Sequence, residues 1–302
     1  MDVYKLKPED QGYSPLTKEH FEQDTRRQSP WYQKNTAGEE IHFAACPACD
    51  NPIQIIGLYR IPKNTVQPYG KHLAHSIKNL ATLDTVARDN CPYFKPRPYQ
   101  KSDRKTSIQG LPLKILHLLI TQFDRVMYVM HKQTGIWFSR KKARQMLEQY
   151  RSERGYLYSG ATLMNVPWMF AYMADSQSLF GQKIGDNRHL VEAIREKVPH
   201  AKVASDGRVQ AAILPTGKEA FVNINVCFIH HRTHKVGDDA GIIEMMTMVV
   251  STEIHGEIVD VYKEKVTFDH AYFQQLIDIP DERGRRQPDL LDLAKEILGD
   301  LV

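Results

Sequence analysis

Apolar residues recur at steps of three and four through the middle of the 302-residue chain, which is the spacing of one face of an α-helix. The run that begins at Leu111 continues to Met130, and Gly135 is placed to end the helix. Ser139 is a typical N-cap for the next helix. The pattern predicts helices at 111–135, 140–154, 163–180 and 187–198. Residues 111–200 are therefore predicted to form a helical region.

After residue 200 the apolar positions alternate with polar ones, as they do along a half-buried β-strand. The pattern predicts strands at 203–214, 220–230, 242–253 and 257–268, and helices at 270–277 and 290–301. Pro215-Thr216-Gly217-Lys218 is a turn sequence that would join the first two strands as a hairpin. Because the connections are short, residues 201–302 are predicted to be an antiparallel β domain with terminal helices.

Residues 1–40 show no sustained hydrophobic period of 2 or 3.6 residues. Residues 1–40 are predicted to be an extended arm with one short helix at 16–27, which Thr17 could cap. Residues 41–110 are predicted to hold a strand, a helix and two polar loops, at 53–60, 69–89, 62–68 and 92–110. This second segment also contains most of the candidate chemistry.

Three of the four cysteines fall within 46 residues and indicate a zinc site. Cys46 and Cys49 have the Cys-x-x-Cys spacing that places two thiolates on one ion, and Cys91 is a third donor. Either His72 or His75 would complete a tetrahedron, and His75 is preferred because it lies further inside the predicted helix, with His72 as the alternative. Four protein ligands predict a structural rather than a catalytic Zn²⁺. A redox pair and unligated buried cysteines are the competing interpretations.

These elements predict an α+β fold with a zinc-knuckle N-terminal region, a helical middle and a C-terminal antiparallel β-meander with flanking helices. The predicted segments are an arm at 1–40, a zinc-binding basic region at 41–110, a helical region at 111–200 and a β domain at 201–302.

The net charge of +4 conceals a strong asymmetry, because residues 51–144 carry +13 and the remainder carries −9. A basic region beside a zinc knuckle favours a polyanion as partner. The candidate nucleic-acid contacts are Lys71, Lys78, Tyr93, Phe94, Arg97, Tyr99, Lys101, Arg104, Lys105, Arg140, Lys141, Lys142 and Arg144. The aromatic members would stack on bases, as in single-strand and RNA binders. A solvated basic face with rings packed on the core is the structural alternative.

A second group of polar residues lies in the predicted β domain. His230, His231, His234 and Asp238 are close in sequence, and Glu253 and His255 come from a later strand. If the two groups met across a hairpin they could form a metal-dependent nuclease or phosphodiesterase site. No established metal-binding spacing such as His-Glu-x-x-His supports this, and no phosphate-binding glycine loop is present.

The sequence thus predicts a zinc-containing nucleic-acid-binding protein, DNA or RNA, as one subunit of a nucleoprotein assembly with further protein partners. An enzyme is less favoured, and the alternatives are the nuclease and a protein-interaction module. Clustered cysteines indicate a reducing, cytoplasmic location. The chain has no apolar run of about 18 residues, and its N-terminus has no secretory signal pattern, so neither a membrane span nor export is expected.

Overall fold

The computed structural model describes residues 1–10, 12–63, 65–96, 98–235, 242–254 and 256–302. Over these ranges the α-helices are α1 (Lys18–Thr25), α2 (Thr85–Asp89), α3 (Leu111–Thr134), α4 (Arg140–Ser152), α5 (Val166–Met173), α6 (Arg188–Lys197), α7 (His270–Asp278) and α8 (Pro288–Leu298). The strands are β1 (Val3–Tyr4), β2 (Ser14–Pro15), β3 (Tyr32–Lys34), β4 (Glu40–Ala45), β5 (Pro52–Ile56), β6 (Tyr69–His72), β7 (Gln177–Ser178), β8 (Ala201–Val203), β9 (Val209–Ala211), β10 (Ile224–Lys235), β11 (Ile242–Ile254) and β12 (Glu257–Thr267). Helices and antiparallel sheets make the fold α+β, as predicted.

The N-terminal sheet is antiparallel, with the strand order β3-β4-β5-β6. Residues 1–40 fold against it rather than extending as an arm. Tyr4 and Phe21 are fully buried and meet edge to face, with ring centroids 5.1 Å apart. The predicted short helix is confirmed as α1, and the side chain of Thr17 caps it by accepting a hydrogen bond from the backbone N–H of His20.

The predicted helix at 69–89 is wrong over most of its length. Residues 69–72 form β6, which pairs with β5 so that His72 lies opposite Ile53. The helix begins only at Thr85. Asp84 is its N-cap, and the Asp84 side chain accepts a hydrogen bond from the backbone N–H of Ala87. Pairing with β5 outweighs the local three- and four-residue spacing of apolar side chains.

The helical region is centred on α3, whose apolar face is buried and whose last turn ends at Gly135. Gly135 has φ 69°, a left-handed conformation that favours glycine at a helix C-terminus. The predicted helix at 163–180 is shorter than expected: α5 is completely buried but ends at Met173, and the chain then forms β7. No helix among the described residues is long and apolar enough to cross a membrane.

The C-terminal sheet has the order β12-β11-β10-β7, and β10, β11 and β12 form a meander of three of the four predicted strands. The predicted hairpin between 203–214 and 220–230 is wrong, because β10 pairs with β7 and β11. The expected strand at 203–214 is instead divided, because β8 and β9 form a small separate hairpin that turns at Gly207, where φ is 84°. The register between β10 and β11 shifts between Ile229 and Arg232. His230 has φ 56° within this bulge, and the extra residue directs the side chain of His231 into the core.

Candidate metal centre

Four buried side chains meet beside the N-terminal sheet. The ligand atoms of Cys46, Cys49, His72 and Cys91 all lie within 4.8 Å of one another. Sγ of Cys46 is 3.7 Å from Sγ of Cys91, and Sγ of Cys49 is 3.4 Å from Nε2 of His72. A tetrahedral zinc ion with ordinary Zn–S and Zn–N distances separates its ligand atoms by roughly 3.5 to 3.8 Å. The cluster is therefore compatible with zinc in both donor chemistry and spacing.

Local backbone structure places the first pair of donors. Cys46 follows β4 directly, and its carbonyl oxygen accepts a hydrogen bond of 2.8 Å from the N–H of Asp50. Asp50 has φ 60°, so the chain reverses tightly and enters β5. Two lysines form ion pairs with this turn. The ammonium groups of Lys5 and Lys114 lie 2.8 Å and 2.6 Å from the Asp50 carboxylate oxygens. The turn is thereby fixed to both the N-terminal segment and α3.

The other two donors come from separate elements. His72 is the last residue of β6, and strand alternation directs its ring into the cluster while Lys71 faces outward. Cys91 follows α2, and its N–H donates to the carbonyl oxygen of Arg88 at 2.9 Å. The preference for His75 as the fourth ligand is wrong, because His75 lies in an exposed bend beyond the strand.

Asn51 was not identified from the sequence, yet it is completely buried beside the cluster. Its Nδ2 donates to the carbonyl oxygen of Cys49 at 3.2 Å and to Cys49 Sγ at 3.4 Å. Its Oδ1 accepts from the backbone N–H of Asp84 at 2.8 Å. Asn51 therefore connects the cysteine turn to the start of α2. Its position two residues after Cys49 is the one sequence signal for such a role.

The thiol groups differ in their tendency to ionise. Burial opposes ionisation of Cys46, but hydrogen bonds from Cys49, Cys91 and the backbone of the turn hold its pKa well below the usual range. Burial and the neighbouring Cys46 sulfur raise the pKa of Cys91. A buried thiolate with two further sulfur atoms and an imidazole nearby is a donor set that suits a divalent soft cation.

Several of the predicted nucleic-acid contacts lie on the surface. Lys71 and Lys78 are exposed and have no ion-pair partner among the described residues. Arg140 and Lys141 are exposed on the first turn of α4, and Lys142 is half-buried. Arg97 lies outside the described residues. These positions leave cationic groups accessible beside the metal cluster and at the N-terminus of α4.

Lys105 is not a surface residue, which corrects its assignment as a phosphate contact. The residue is 6% exposed. Its ammonium group donates to the carbonyl oxygens of Tyr158, Ser159 and Ala161 at 2.8, 3.3 and 3.0 Å. Lys105 therefore connects the loop before α3 to the segment before α5.

Two further predicted cations are engaged by protein groups. Arg104 donates twice to the carbonyl oxygen of Glu153, at 3.1 and 3.0 Å. Arg144 forms a bidentate pair with Glu296 of α8, at 2.9 and 2.6 Å. Arg104 therefore connects the loop before α3 to the end of α4, and Arg144 joins α4 to α8, so their prediction as phosphate contacts is not favoured. Lys101 remains half-exposed, with its ammonium group 5.6 Å from the centre of the Tyr172 ring.

The three predicted stacking residues differ in exposure. Tyr99 is buried and donates to the carbonyl oxygen of Asn90 at 2.9 Å, so it is not available to a base. Tyr93 is half-buried against the core. Phe94 is half-buried at the surface of the metal cluster, and its ring meets that of His72 edge to face with centroids 5.5 Å apart.

The histidine-rich segment does not assemble as the nuclease hypothesis required. His230, His234 and Glu253 are exposed, whereas His231 is buried. The bulge places His231 opposite Met246, and Glu253 lies seven residues further along β11, a distance of about 23 Å. Asp238 and His255 lie outside the described residues.

His231 instead belongs to a buried network centred on Glu244, which is 1% exposed. One carboxylate oxygen of Glu244 accepts from Asn165 at 2.7 Å and lies 2.6 Å from Nε2 of His231, while the other lies 2.9 Å from Nε2 of His270. The hydroxyl of Tyr158 is 3.0 Å from the remaining ring nitrogen of His231. Both ring nitrogens of His231 therefore have a hydrogen-bond partner within the protein. An acidic residue at an inward-facing position of β11 was the sequence signal for this network.

No protein-family model, curated protein or solved structure matches this chain. The functional argument therefore depends on the geometry of the site.

Proposed function

We propose that the chain is a zinc-stabilised nucleic-acid-binding protein and that its metal is structural. Four protein ligands fill a tetrahedral zinc ion and leave no position for an activated water molecule. The ligands come from a turn, a strand end and a helix end, so one ion would hold three elements together. Zinc–thiolate ligation requires reduced cysteines, and the proposal therefore places the protein in a reducing compartment, the cytoplasm.

The observation that carries the proposal is the surroundings of Phe94. The Lys95 ammonium lies 5.4 Å from the centre of its ring, and the Arg88 guanidinium, which is also paired with Asp89 at 3.0 Å, lies 4.9 Å from it. The same ring contacts His72, a ligand of the candidate metal centre. Single-stranded nucleic acids are bound by cations that contact phosphates next to rings that stack on bases. We call the surface formed by Lys71, Arg88, Phe94 and Lys95 the knuckle face.

The zinc ion would support this face indirectly. Lys71 precedes the ligand His72, and Lys95 follows the ligand Cys91 by four residues. Metal ligation fixes the backbone on both sides, so the cations would be held in place without being ligands themselves. Further cations on α4 would extend the contact, in keeping with an assembly in which several surfaces bind one strand.

The test is the binding of fluorescently labelled 20-nucleotide DNA and RNA strands to the zinc-loaded protein. We expect the K71E/K95E variant to lose at least tenfold in affinity. The slope of log affinity against log salt should become shallower by roughly 1.4, since each phosphate contact on a single strand contributes about 0.7. K34E/K202E is the matched control, because both lysines are exposed on strands away from the cluster. Equal affinity and slope in the two double variants would refute the knuckle face as the binding surface.

A further inference from the structure

A cavity lies beside the C-terminal half of α3, formed by residues remote in sequence from the knuckle face. It encloses about 630 Å³ and is bounded by α3, by the connection between α3 and α4, and by the segment 280–287 between α7 and α8. Leu276 and Ile279 contribute apolar lining, and Tyr128 and Trp137 contribute aromatic rings. The volume is in the range of sites that hold a small organic ligand.

The cavity carries an excess of positive charge. Its lining includes Arg125, Arg283, Arg285 and Arg286, but Asp124 is its one acidic member. Asp124 is already engaged, because Arg286 donates from Nε to its carboxylate at 2.8 Å. Asp281, in the segment 280–287, pairs with Arg286 and lies 3.6 Å from Arg125, so the unpaired positive charge of the cavity is that of Arg283 and Arg285.

Two of these arginines are free to bind an anion. Arg125 donates to the backbone carbonyl oxygens of Ile277 and Ile279, at 3.1 and 2.7 Å, and is held in the wall. Arg283 and Arg285 are exposed, and within the described part of the chain neither side chain has a hydrogen bond or ion pair. An oxyanion entering the cavity could therefore be bound by two guanidinium groups without breaking an existing contact.

Trp137 supplies a rigid aromatic surface in the same cavity. It is 41% exposed. Its ring packs on His131 with centroids 3.9 Å apart, and Nε2 of His131 is in turn 2.7 Å from the carboxylate of Asp186. The indole is thus supported from behind, and the exposed part of its surface is available for stacking. Aromatic rings with an accessible face stack on bases in proteins that bind single strands.

We propose that this cavity binds one nucleotide, with its base on Trp137 and its phosphate on Arg283 and Arg285. An aromatic ring and a phosphate are the two groups that the cavity complements together. The inference rests on the proposed function where the nucleotide belongs to a bound strand, while a free nucleotide would offer the same chemistry. The cavity would then be a second contact on the strand, in addition to the knuckle face.

The experiment follows tryptophan fluorescence of the full-length, zinc-loaded protein during titration with (dT)12 or with adenosine monophosphate. Trp31 is half-buried and Trp168 is buried, so quenching that disappears in W137F reports on the cavity. We expect R283Q/R285Q to weaken this quenching at least tenfold. R154Q/R195Q should leave it unchanged, since those exposed arginines are not part of the cavity lining.

The two probes and the knuckle-face variant separate the possible outcomes. Quenching by (dT)12 alone identifies a nucleotide within a strand, and quenching by adenosine monophosphate identifies the free nucleotide as sufficient. In K71E/K95E the response to adenosine monophosphate should be unchanged even where strand affinity falls, so failure of the knuckle face is distinguishable from failure of the cavity. The inference is overturned if neither probe gives quenching that depends on Trp137, or if that quenching persists in R283Q/R285Q.

Discussion

The side-chain amide of Asn51 donates a hydrogen bond to Sγ of Cys49 over 3.4 Å. The same side chain accepts from the backbone N–H of Asp84, so its orientation is fixed from the opposite side. A donor to a metal-bound sulfur stabilises the thiolate and restrains the ligand. Asn51 therefore supports the proposed zinc site without contacting the ion.

Replacement of Asn51 by Ala should lower zinc affinity by 10- to 100-fold, the usual effect of losing a group that orients a metal ligand. The measurement is competition with a chromophoric zinc chelator at neutral pH. Gln145→Ala is the control, because Gln145 is an exposed residue of α4. Unchanged zinc affinity in N51A would mean that Asn51 only connects the turn to α2.

Cys91→Ser and Cys227→Ser form a matched pair that tests the ligand assignment. Cys91 is in the cluster, whereas Cys227 is half-buried in β10 and outside it. We expect C91S to contain little or no zinc and to melt at a lower temperature, because metal binding contributes folding free energy. C227S should retain one zinc ion per chain. Metal analysis and thermal unfolding of the same preparations would decide, and full zinc content in C91S would contradict the four-ligand site.

The sequence was sufficient to identify the three cysteines of the cluster but not its histidine. Cys46 and Cys49 are separated by a local turn, and such spacing is visible in the sequence without knowledge of the fold. The choice between His72 and His75 depended on whether residues 69–72 form a helix or a strand. Pairing with β5, whose residues lie 13 to 19 positions earlier in the chain than their partners in β6, decided that question. Local periodicity carries no information about such a partner.

The sequence also could not distinguish exposed lysines from buried ones. A basic segment identified Lys71 and Lys105 equally well from the sequence, but Lys71 is exposed and Lys105 is buried beneath three carbonyl oxygens. The long helices and the β-meander were predictable, because their periods extend over many residues. The inward direction of the His231 side chain was not predictable, because it depends on one extra residue in β10.

Lys105→Met should destabilise the protein without weakening nucleic-acid binding by the folded form. Methionine keeps most of the side-chain volume but leaves three buried carbonyl oxygens without their donor, at a cost of about 2 to 4 kcal/mol. Urea unfolding would measure the loss, with Lys202→Met as the exposed control. If K105M kept its stability but bound a 20-nucleotide strand tenfold more weakly, the original assignment of Lys105 as a phosphate contact would be restored.

Glu244→Gln tests the buried network through its pH dependence. Burial opposes ionisation of Glu244, but hydrogen bonds from His231 and His270, and their charges, lower its pKa from 4.5 to about 2. A carboxyl group whose pKa is lower in the folded state contributes stability above its unfolded-state pKa and loses it as the pH falls towards the folded-state value. The contribution is about 3 kcal/mol at neutral pH, and about 1.4 kcal/mol of it should be lost by pH 3.5.

The free energy of unfolding of wild type should therefore exceed that of E244Q most clearly above pH 5, and the difference should shrink as the pH falls to 3.5. Acid also weakens zinc ligation, but it does so in both proteins, so the difference between them isolates Glu244. Glu253→Gln is the control, because Glu253 is exposed and its replacement should change stability by less than about 0.5 kcal/mol. A difference between wild type and E244Q that did not vary with pH would show that Glu244 stabilises the fold by packing rather than through its charge.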